Sequence, residues 1–561
     1  MTYTAPVQDL LFNIAHIAPG PTDLEMAAAV LEELGRFCAE EIAPLNAPGD
    51  REGSHCEAGQ VTTPTGFRAA YAKFVSMGWQ SLPHPSEYGG QDLPRAVGAA
   101  AGEILNGANM SFALCPLLTD GTIEALRHFG SDAMKATYLP NLVAGVWTGT
   151  MNLTEPQAGS DLALLRTRAE GQPDGSYKIT GTKIFITYGE HDLAENIIHL
   201  VLARTPDAPK GIKGISLFLV PKFLPSGGAR NAVRCQSIEH KLGVRASPTC
   251  VLEYEGATGF LIGAENAGLE YMFTMMNAAR FAVGVQGVAI AERATQAALA
   301  YARTRLQGRP VDGSAPGAVA IIQHPDVRRM LMQMRATTEA CRALAAFAAG
   351  SQDGPDTAIA EFLVPLVKGY CTETSVEITS LGVQIHGGMG FVEETGAAQH
   401  YRDARILPIY EGTTAIQAND LLGRKTLRDG GATALRIAAV IAETETSLQA
   451  GSPIAQDIAA RLGAARSDFQ AVVARLLTAP VNDAYGGAVP YLMLAGNLVA
   501  GWQMARAVLV AEAALARGED RDFMTAKIAT ARFYVQHILT ETALQRARVI
   551  HGGASLLDAA L

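Results

Sequence analysis

The chain has 561 residues, of which 48% are hydrophobic and 18% are charged, and its formal net charge is −10. This composition is typical of a globular protein and excludes a largely disordered chain. The acidic balance argues against broad electrostatic binding to nucleic acid or to an anionic membrane. The seven cysteines include no CxxC pair, which predicts reduced thiols in a cytoplasmic protein rather than disulfides or a zinc site.

The pattern of the sequence changes twice along the chain. Residues up to about 150 have apolar positions at helical spacing, residues from there to about 270 form β-rich alternating segments, and the helical pattern then returns. We therefore predict four parts: a helical N-terminal domain (1–150), a β-domain (151–272), a helical bundle (273–428) and an extra helical domain (429–561). This order is not that of a doubly wound sheet, and no GxGxxG motif follows a strand.

The extra domain shows no chemistry of its own in the sequence. Residues 432–561 contain 11 Lys and Arg and 11 Asp and Glu, so they carry no net basic patch. The apolar segment 491–516 is interrupted by Arg506, which favours a buried core helix over a membrane span. VIHGG (549–553) repeats QIHGG (384–388), but no YEGT follows the second copy. A packing or oligomerisation element is favoured over a second active site.

The first segment that could carry chemistry is TGTMNLTEPQAGSD (148–161), at the junction of the helical and β-rich parts. Thr154, Gly159 and Ser160 offer hydroxyl and backbone N–H donors that could hold a polar ring or a phosphate. A Pro/Gly turn with capping hydroxyls would explain the same residues, and by itself that reading is favoured.

Two further segments stand out. GTKIFITYGE (181–190) is predicted as an alternating strand that presents Lys183, Phe185 and Thr187 on one face, which suits a planar cofactor or ordinary strand packing. The segment 382–417 combines glycines that permit close backbone approach with the carboxylate of Glu411. No histidines cluster at metal-ligand spacing, so no metal site is predicted.

Together, and in this order, these motifs resemble those of the acyl-CoA dehydrogenase family of flavoproteins. TEPQAGSD is similar to the family's TEPxAGSD, GTKIFIT to its G-x-K-x-[WF]-I-T strand, QIHGGMGF to its Q-x-x-GG-x-G-[FY], and RDARILPIYEGTTAIQ to its RD-x-[RK]-x-x-x-IYEGT-x-x-IQ. The resemblance covers roughly residues 40–425. The extra terminal segments look most like a larger bacterial subgroup that includes 3-methylmercaptopropionyl-CoA dehydrogenase of dimethylsulfoniopropionate catabolism.

The resemblance implies a mainly α fold: a helical N-terminal domain, a central β-barrel and a four-helix bundle, followed here by a C-terminal helical extension. It also implies FAD as cofactor and at least a homodimer, or a homotetramer. The implied cofactor-binding residues are Leu153, Thr154, Ser160, Phe185, Thr187, Arg305, Gln384, Gly387, Gly388 and Thr413. The implied substrate-binding residues are Ser160, Asn277, Arg280, Tyr410 and Gly412.

Glu411 matches the family's catalytic base. The α-proton of an acyl thioester is only weakly acidic, so its removal needs a base and stabilisation of the enolate charge. Burial should raise the pKa of the Glu411 carboxyl toward the working pH. Some family members place the base on the long helix instead, where this chain has Ala279.

The resemblance implies α,β-dehydrogenation of an acyl-CoA, with electrons passing to electron-transferring flavoprotein. Short or medium acyl chains are favoured, including 3-methylthiopropanoyl-CoA. The alternatives are an acyl-CoA oxidase or flavin monooxygenase-like relative, which the sequence separates poorly, and a DNA-binding relative, which the neutral tail and the acidic chain disfavour.

Overall fold

A computed structural model describes residues 3–225 and 227–558 of the chain. Its N-terminal part contains seven helices and a short antiparallel hairpin. The helices are α1 (Val7–His16), α2 (Leu24–Phe37), α3 (Asn46–Glu52), α4 (Phe67–Ser76), α5 (Arg95–Ala108), α6 (Met110–Phe129) and α7 (Asp132–Val143); the hairpin strands are β1 (His55–Glu57) and β2 (Gln60–Thr62). Side-chain caps set several helix starts: Asp23 accepts from two amides of α2, and Asn109 and Ser131 each cap the following helix.

The central part is a seven-stranded sheet. Its strands are β3 (Trp147–Asn152), β4 (Arg168–Gly171), β5 (Tyr177–Thr187), β6 (Asn196–Ala203), β7 (Ser216–Pro221), β8 (Val233–Ile238) and β9 (Thr249–Ile262). They are ordered β3-β6-β7-β9-β5-β4, with β8 also paired to β9. An isolated bridge between Arg168 and Arg204 brings β4 back beside the end of β6. The sheet thus folds back on itself, but no continuous ladder in the described residues closes it into the predicted barrel.

The third part is built on three long helices. They are α8 (Gly268–Thr304), α9 (Pro325–Asp353) and α10 (Thr357–His386), joined by the shorter α11 (Ala397–Ala404) and α12 (Thr414–Leu422). Pro325 begins α9, because a proline at the first helical position loses no intrahelical hydrogen bond. The helices α8, α9 and α10 pack on one another, and α12 packs on α10 to complete the bundle.

The extra domain is helical, as predicted. It comprises α13 (Ala432–Gln449), α14 (Pro453–Thr478), α15 (Val481–Gly486), α16 (Ala488–Ala516), α17 (Arg521–Phe533) and α18 (Glu541–Asp558). One hydrophobic core runs from α8–α10 into these helices, so the extra domain packs directly on the bundle.

α16 contains the apolar segment that the sequence analysis singled out. It is long and apolar enough to cross a membrane, but 67% of its most apolar 18-residue window is buried inside the protein. It packs against α9, α10, α12 and α14. This burial supports the prediction of a core helix.

Candidate active site

The turn that carries Glu411 has an unusual backbone. It lies between α11 and α12, and both Glu411 (φ 53°) and Gly412 (φ 88°) have left-handed conformations. Glycine adopts this conformation freely, whereas a glutamate there is strained and needs support from its surroundings. Thr413 then caps α12, its hydroxyl accepting the Ile416 amide at 3.4 Å.

Two side chains hold this turn through its carbonyl groups. Lys368, in the middle of α10, is fully buried and donates from Nζ to the Gly412 carbonyl at 2.6 Å. Gln417 Nε2 donates to the Glu411 carbonyl at 3.2 Å and to the Gly412 carbonyl at 3.4 Å. The Glu411 N–H, in contrast, has no acceptor among the described residues. The turn is therefore fixed from its carbonyl side while one backbone donor stays available.

Burial, partly offset by nearby positive charges, gives the Glu411 carboxyl a pKa in the neutral range. Burial raises this pKa to about 7, against the opposing effect of Arg280 and Lys368, whose positive charges favour the ionised form. Burial in turn lowers the pKa of Lys368 to about 7. A half-buried carboxylate that exchanges its proton near neutral pH is suited to general-base work.

Arg280 lies on α8 and links the turn to the rest of the bundle. Its guanidinium is buried, lies 3.8 Å from Asp420 Oδ2, and donates to Asn277 Oδ1 at 3.4 Å. Its Nε and the Oε1 of Gln417 are buried polar atoms without a hydrogen-bond partner in the described part of the chain. Such orphaned atoms beside a carboxylate fit a site that receives a polar ligand.

The Tyr410 hydroxyl forms a hydrogen bond that the sequence did not predict. Its hydroxyl donates to Gln286 Oε1 at 2.5 Å, and Gln286 Nε2 donates to Asn106 Oδ1 at 2.9 Å. The predicted substrate residue thus forms part of a polar chain reaching α5. The sequence analysis did not identify Gln286 and Asn106, which the structure connects to the site through Tyr410.

A second group of predicted residues surrounds the start of the sheet domain. Leu153 and Thr154 are half-buried just after β3, and the Thr154 carbonyl accepts the Ile184 amide of β5 at 2.9 Å. Ser160 is exposed farther along the same loop, and Thr187 is half-buried at the end of β5.

The prediction that Lys183, Phe185 and Thr187 share one strand face is wrong. A register shift between Lys183 and Ile186 interrupts the pairing of β5 with β9. Lys183, before the bulge, faces fully inward, whereas the bulge leaves Phe185 59% exposed, with a φ of 60°. An extra residue in a strand reverses the face of every side chain that follows it, so simple alternation fails here.

The buried Lys183 side chain instead holds the loop after β3 through hydrogen bonds. Its Nζ donates to the Leu153 carbonyl and to Glu155 Oε1, each at 2.9 Å. Burial alone would raise the pKa of Glu155, but Lys183 and hydrogen bonds from Thr167 and Arg166 outweigh it and lower that pKa to about 2. The buried pair joins the loop of Leu153 and Thr154 to the strand of Phe185.

The remaining predicted cofactor residues lie at the ends of α8 and α10. Arg305 and Gln384 are exposed. Gly387 has a φ of 61°, and a Cβ atom placed on it or on Gly388 would meet nothing within 4 Å. The open backbone at these glycines and the exposed Phe185 ring fit a planar cofactor with a polar edge.

The two groups of residues share one hydrophobic core. Tyr188, directly after β5, and Leu407, before the Glu411 turn, belong to the same buried cluster, and Tyr410 packs against it. Ala279 is buried beside Arg280 and offers no alternative base. His386 is packed, with its ring 4.4 Å from that of Tyr301 and Nδ1 2.7 Å from the Gly382 carbonyl. No metal-binding group occurs among the described residues.

Comparison with known families covers nearly the whole chain. Models of the acyl-CoA dehydrogenase N-terminal, middle and C-terminal domains match residues 25–146, 150–257 and 266–425. A fourth model, acetyl-CoA dehydrogenase C-terminal like, matches residues 434–560. The chain is 60% identical to a 3-methylmercaptopropionyl-CoA dehydrogenase of Ruegeria pomeroyi, with 100% of both sequences covered. The chain belongs to the acyl-CoA dehydrogenase family.

Further relatives agree with this assignment. The chain is 35% identical to a broad-specificity linear acyl-CoA dehydrogenase of Mycobacterium tuberculosis, over 96% of this chain and 95% of that one. The structure of an acyl-CoA dehydrogenase complexed with FAD from Bacillus anthracis shares its fold, with a TM-score of 0.76, 21% identity and coverage of 98% and 91%.

Several sequence predictions are thereby confirmed. The chain is an acyl-CoA dehydrogenase, an oxidoreductase and a flavoprotein whose cofactor is FAD. The fold class and the resemblance to the larger bacterial subgroup are also confirmed. The residue roles and the domain boundaries stay predictions.

Proposed function

We propose that this acyl-CoA dehydrogenase oxidises 3-methylthiopropanoyl-CoA to the trans-2-enoyl-CoA, with Glu411 as catalytic base. The observation that carries the mechanism is the Glu411 carboxyl itself, half-buried on a supported left-handed turn with a pKa of about 7. The full-length identity of 60% to a 3-methylmercaptopropionyl-CoA dehydrogenase supports the choice of acyl chain.

The residues of the turn divide the chemistry between them. Glu411 accepts the α-proton as the Cα–H bond breaks, and the electron pair left behind forms the new Cα–Cβ double bond while the β-hydrogen leaves as hydride. FAD, when bound, supplies the acceptor for this hydride. The Glu411 N–H, which has no acceptor among the described residues, would donate to the thioester oxygen as negative charge develops there.

Arg280 and Asn277 would serve the CoA end of the substrate. The exposed Asn277 amide and the buried Arg280 guanidinium lie together on α8, one turn apart and next to the Glu411 turn. Tyr410 would act through its packing against the acyl chain, because its hydroxyl is already engaged with Gln286.

Around the cofactor, Phe185 and Thr187 would flank and hydrogen-bond the ring, and Leu153, Thr154, Ser160 and Thr413 would line it. Arg305, Gln384, Gly387 and Gly388 would reach the FAD of a second copy. Apolar side chains beside them support an interface between copies, since Phe391 is 88% and Leu306 59% exposed in the single chain. A homodimer or homotetramer, electron-transferring flavoprotein as acceptor, and a cytoplasmic location complete the proposal.

The proposal is tested with a dye-coupled assay over a panel of acyl-CoA thioesters. We expect 3-methylthiopropanoyl-CoA to give a higher kcat/KM than the butyryl, octanoyl and palmitoyl thioesters of CoA. Clear preference for one of these three thioesters, whose acyl chains contain no sulfur, would overturn the substrate assignment. Rapid peroxide formation by the substrate-reduced enzyme in air would favour an oxidase instead.

The role of Glu411 is tested with Glu411→Gln. We expect the variant to keep its yellow flavin and its affinity for CoA thioesters but to lose kcat by roughly 10³-fold or more, because the amide cannot accept the proton. Glu361→Gln, an exposed carboxylate of α10, is the matched control and should retain full activity. Near-wild-type turnover by Glu411→Gln would remove Glu411 from the mechanism.

A further inference from the structure

Lys368 is a buried charge that no predicted role uses. It lies on α10 with its side chain fully buried, 44 residues before Gly412 in sequence, and its Nζ is 2.6 Å from the Gly412 carbonyl. A buried ammonium group is expensive unless it is paired and hydrogen-bonded, so its presence needs a reason.

Lys368 contacts the backbone of the turn that carries Glu411. Glu411 and Gly412 are successive left-handed residues, and the first is not glycine. The Lys368 hydrogen bond fixes the peptide between Gly412 and Thr413, one residue beyond Glu411, and Gln417 holds the same carbonyl at a longer 3.4 Å. Lys368 therefore makes the shorter and charged contact to the strained turn.

The charges that face this group come from several elements. Arg280 of α8 and Lys368 and Glu373 of α10 surround the turn. The carboxylate of Asp420 on α12 partly balances the charge of Arg280, whereas the cation Arg424 just beyond α12 opposes it. Glu373 Oε1 accepts a hydrogen bond from the Thr414 hydroxyl at 2.5 Å. Against the neighbouring Gly369, α16 of the extra domain places the apolar Leu492. Lys368 thus brings a positive charge to Glu411 without forming an ion pair with it at 4.0 Å or less among the described residues.

We propose that Lys368 is a positioning residue for Glu411: its ammonium group holds the left-handed turn through the Gly412 carbonyl, and its charge favours the ionised carboxylate. The inference rests on the proposed role of Glu411 as base. Because an amine N–H can donate whether or not the group is charged, the backbone contact survives loss of the proton, whereas the electrostatic contribution does not.

The test is the pH profile of turnover in Lys368→Met and Lys368→Arg. Met removes both the donor and the charge, and Arg keeps both. In Lys368→Met we expect the acidic limb of kcat to move upward by about one pH unit, with about tenfold lower kcat at pH 6, because a nearby positive charge no longer favours the carboxylate. Lys368→Arg should restore most of the wild-type profile. Lys425→Met, a half-buried lysine just after α12, is the control and should leave the profile unchanged.

Other outcomes separate the possibilities. A Lys368→Met enzyme with normal flavin content and a wild-type acidic limb would overturn this inference while leaving Glu411 as the base. Activity in Glu411→Gln would instead defeat the proposed function itself. If Lys368→Met does not fold, Lys368→Gln supplies a neutral donor, and an unshifted acidic limb in that variant would equally overturn the electrostatic part.

Discussion

Glu411 shows how one residue obtains a neutral-range pKa from opposing effects. Burial disfavours the charged carboxylate, and Arg280 and Lys368 only partly offset it, leaving the pKa at about 7. Full pairing with either cation would hold the carboxyl ionised and make it a weak base. Incomplete compensation at this position is what suits the carboxyl to the proposed role of base.

The same arrangement carries a cost in stability that can be measured. An acid whose folded-state pKa is raised from 4.5 to about 7 binds more protons when folded, so its contribution to stability falls as pH rises through that range and stays reduced above it. We therefore expect Glu411→Gln to raise Tm at pH 8 by about 2 °C or more, with little change at pH 4.5. Differential scanning fluorimetry at both pH values measures this, with Glu361→Gln as control. An equal shift at both pH values would contradict the explanation.

At the scale of single elements, the bulge in β5 decides where side chains point. Lys183 faces the interior with Glu155, and the register shift against β9 between Lys183 and Ile186 then exposes Phe185. The bulge lets one strand carry both a buried structural cation and an exposed aromatic ring. This arrangement couples the loop after β3 to the face proposed to receive the cofactor.

Removing the cation should release that loop. In Lys183→Met the buried Glu155 loses its partner, which costs about 3–5 kcal/mol for a buried pair, and the Leu153 carbonyl loses its donor. We expect a lower Tm and a several-fold loss of bound flavin, measured by absorbance after gel filtration. The double variant Lys183→Met/Glu155→Gln should recover part of the stability, and Lys178→Met, exposed on the same strand, should behave as wild type. Full flavin content in Lys183→Met would show that the pair does not support the loop.

At the scale of the whole molecule, a buried charge network joins three of the four predicted parts. Arg342 of α9 contacts Glu103 of α5 at 2.5 Å and Glu292 of α8 at 2.7 Å, and also reaches Asp9 of α1 at 2.6 Å. Lys527 of α17 continues the network to Asp9, and to Glu339 of α9 at 2.8 Å. The N-terminal helices, the bundle and the extra domain therefore meet at one set of mutually dependent charges.

Breaking this network should loosen the extra domain. Lys527→Met leaves two buried carboxylates with one cation fewer, and a broken buried ion pair costs about 3–5 kcal/mol. We expect a lower Tm and faster tryptic cleavage after residue 428, followed by gel electrophoresis and mass spectrometry. Arg532→Met, an exposed cation of the same helix, is the control. Unchanged cleavage would mean that the apolar core alone holds the domain.

Much of this architecture could be predicted from the sequence, because its signals are local. Helical spacing and the alternation of the β-rich middle depend on neighbouring residues. The motif around Glu411 likewise identified the candidate base, and Ala279 excluded the alternative position. The apolar segment of α16 was interpreted correctly from its interrupting Arg506.

What the sequence could not supply are contacts between distant residues. Lys368 meets Gly412 across 44 residues, Tyr410 meets Gln286 across 124, and Gln286 meets Asn106 across 180. The failed prediction for Lys183 and Phe185 has the same origin, because the bulge is set by pairing with β9 and not by the residues of β5 alone.

The sequence by itself determined the order of the parts, the family and the residue proposed as base, since short-range periodicity and motif spacing encode them. The tertiary structure alone decided the left-handed backbone of Glu411, the cations that hold its raised pKa at about 7 and the burial of Lys183. These depend on burial and on charges from separate helices, and both quantities exist only once the chain has folded.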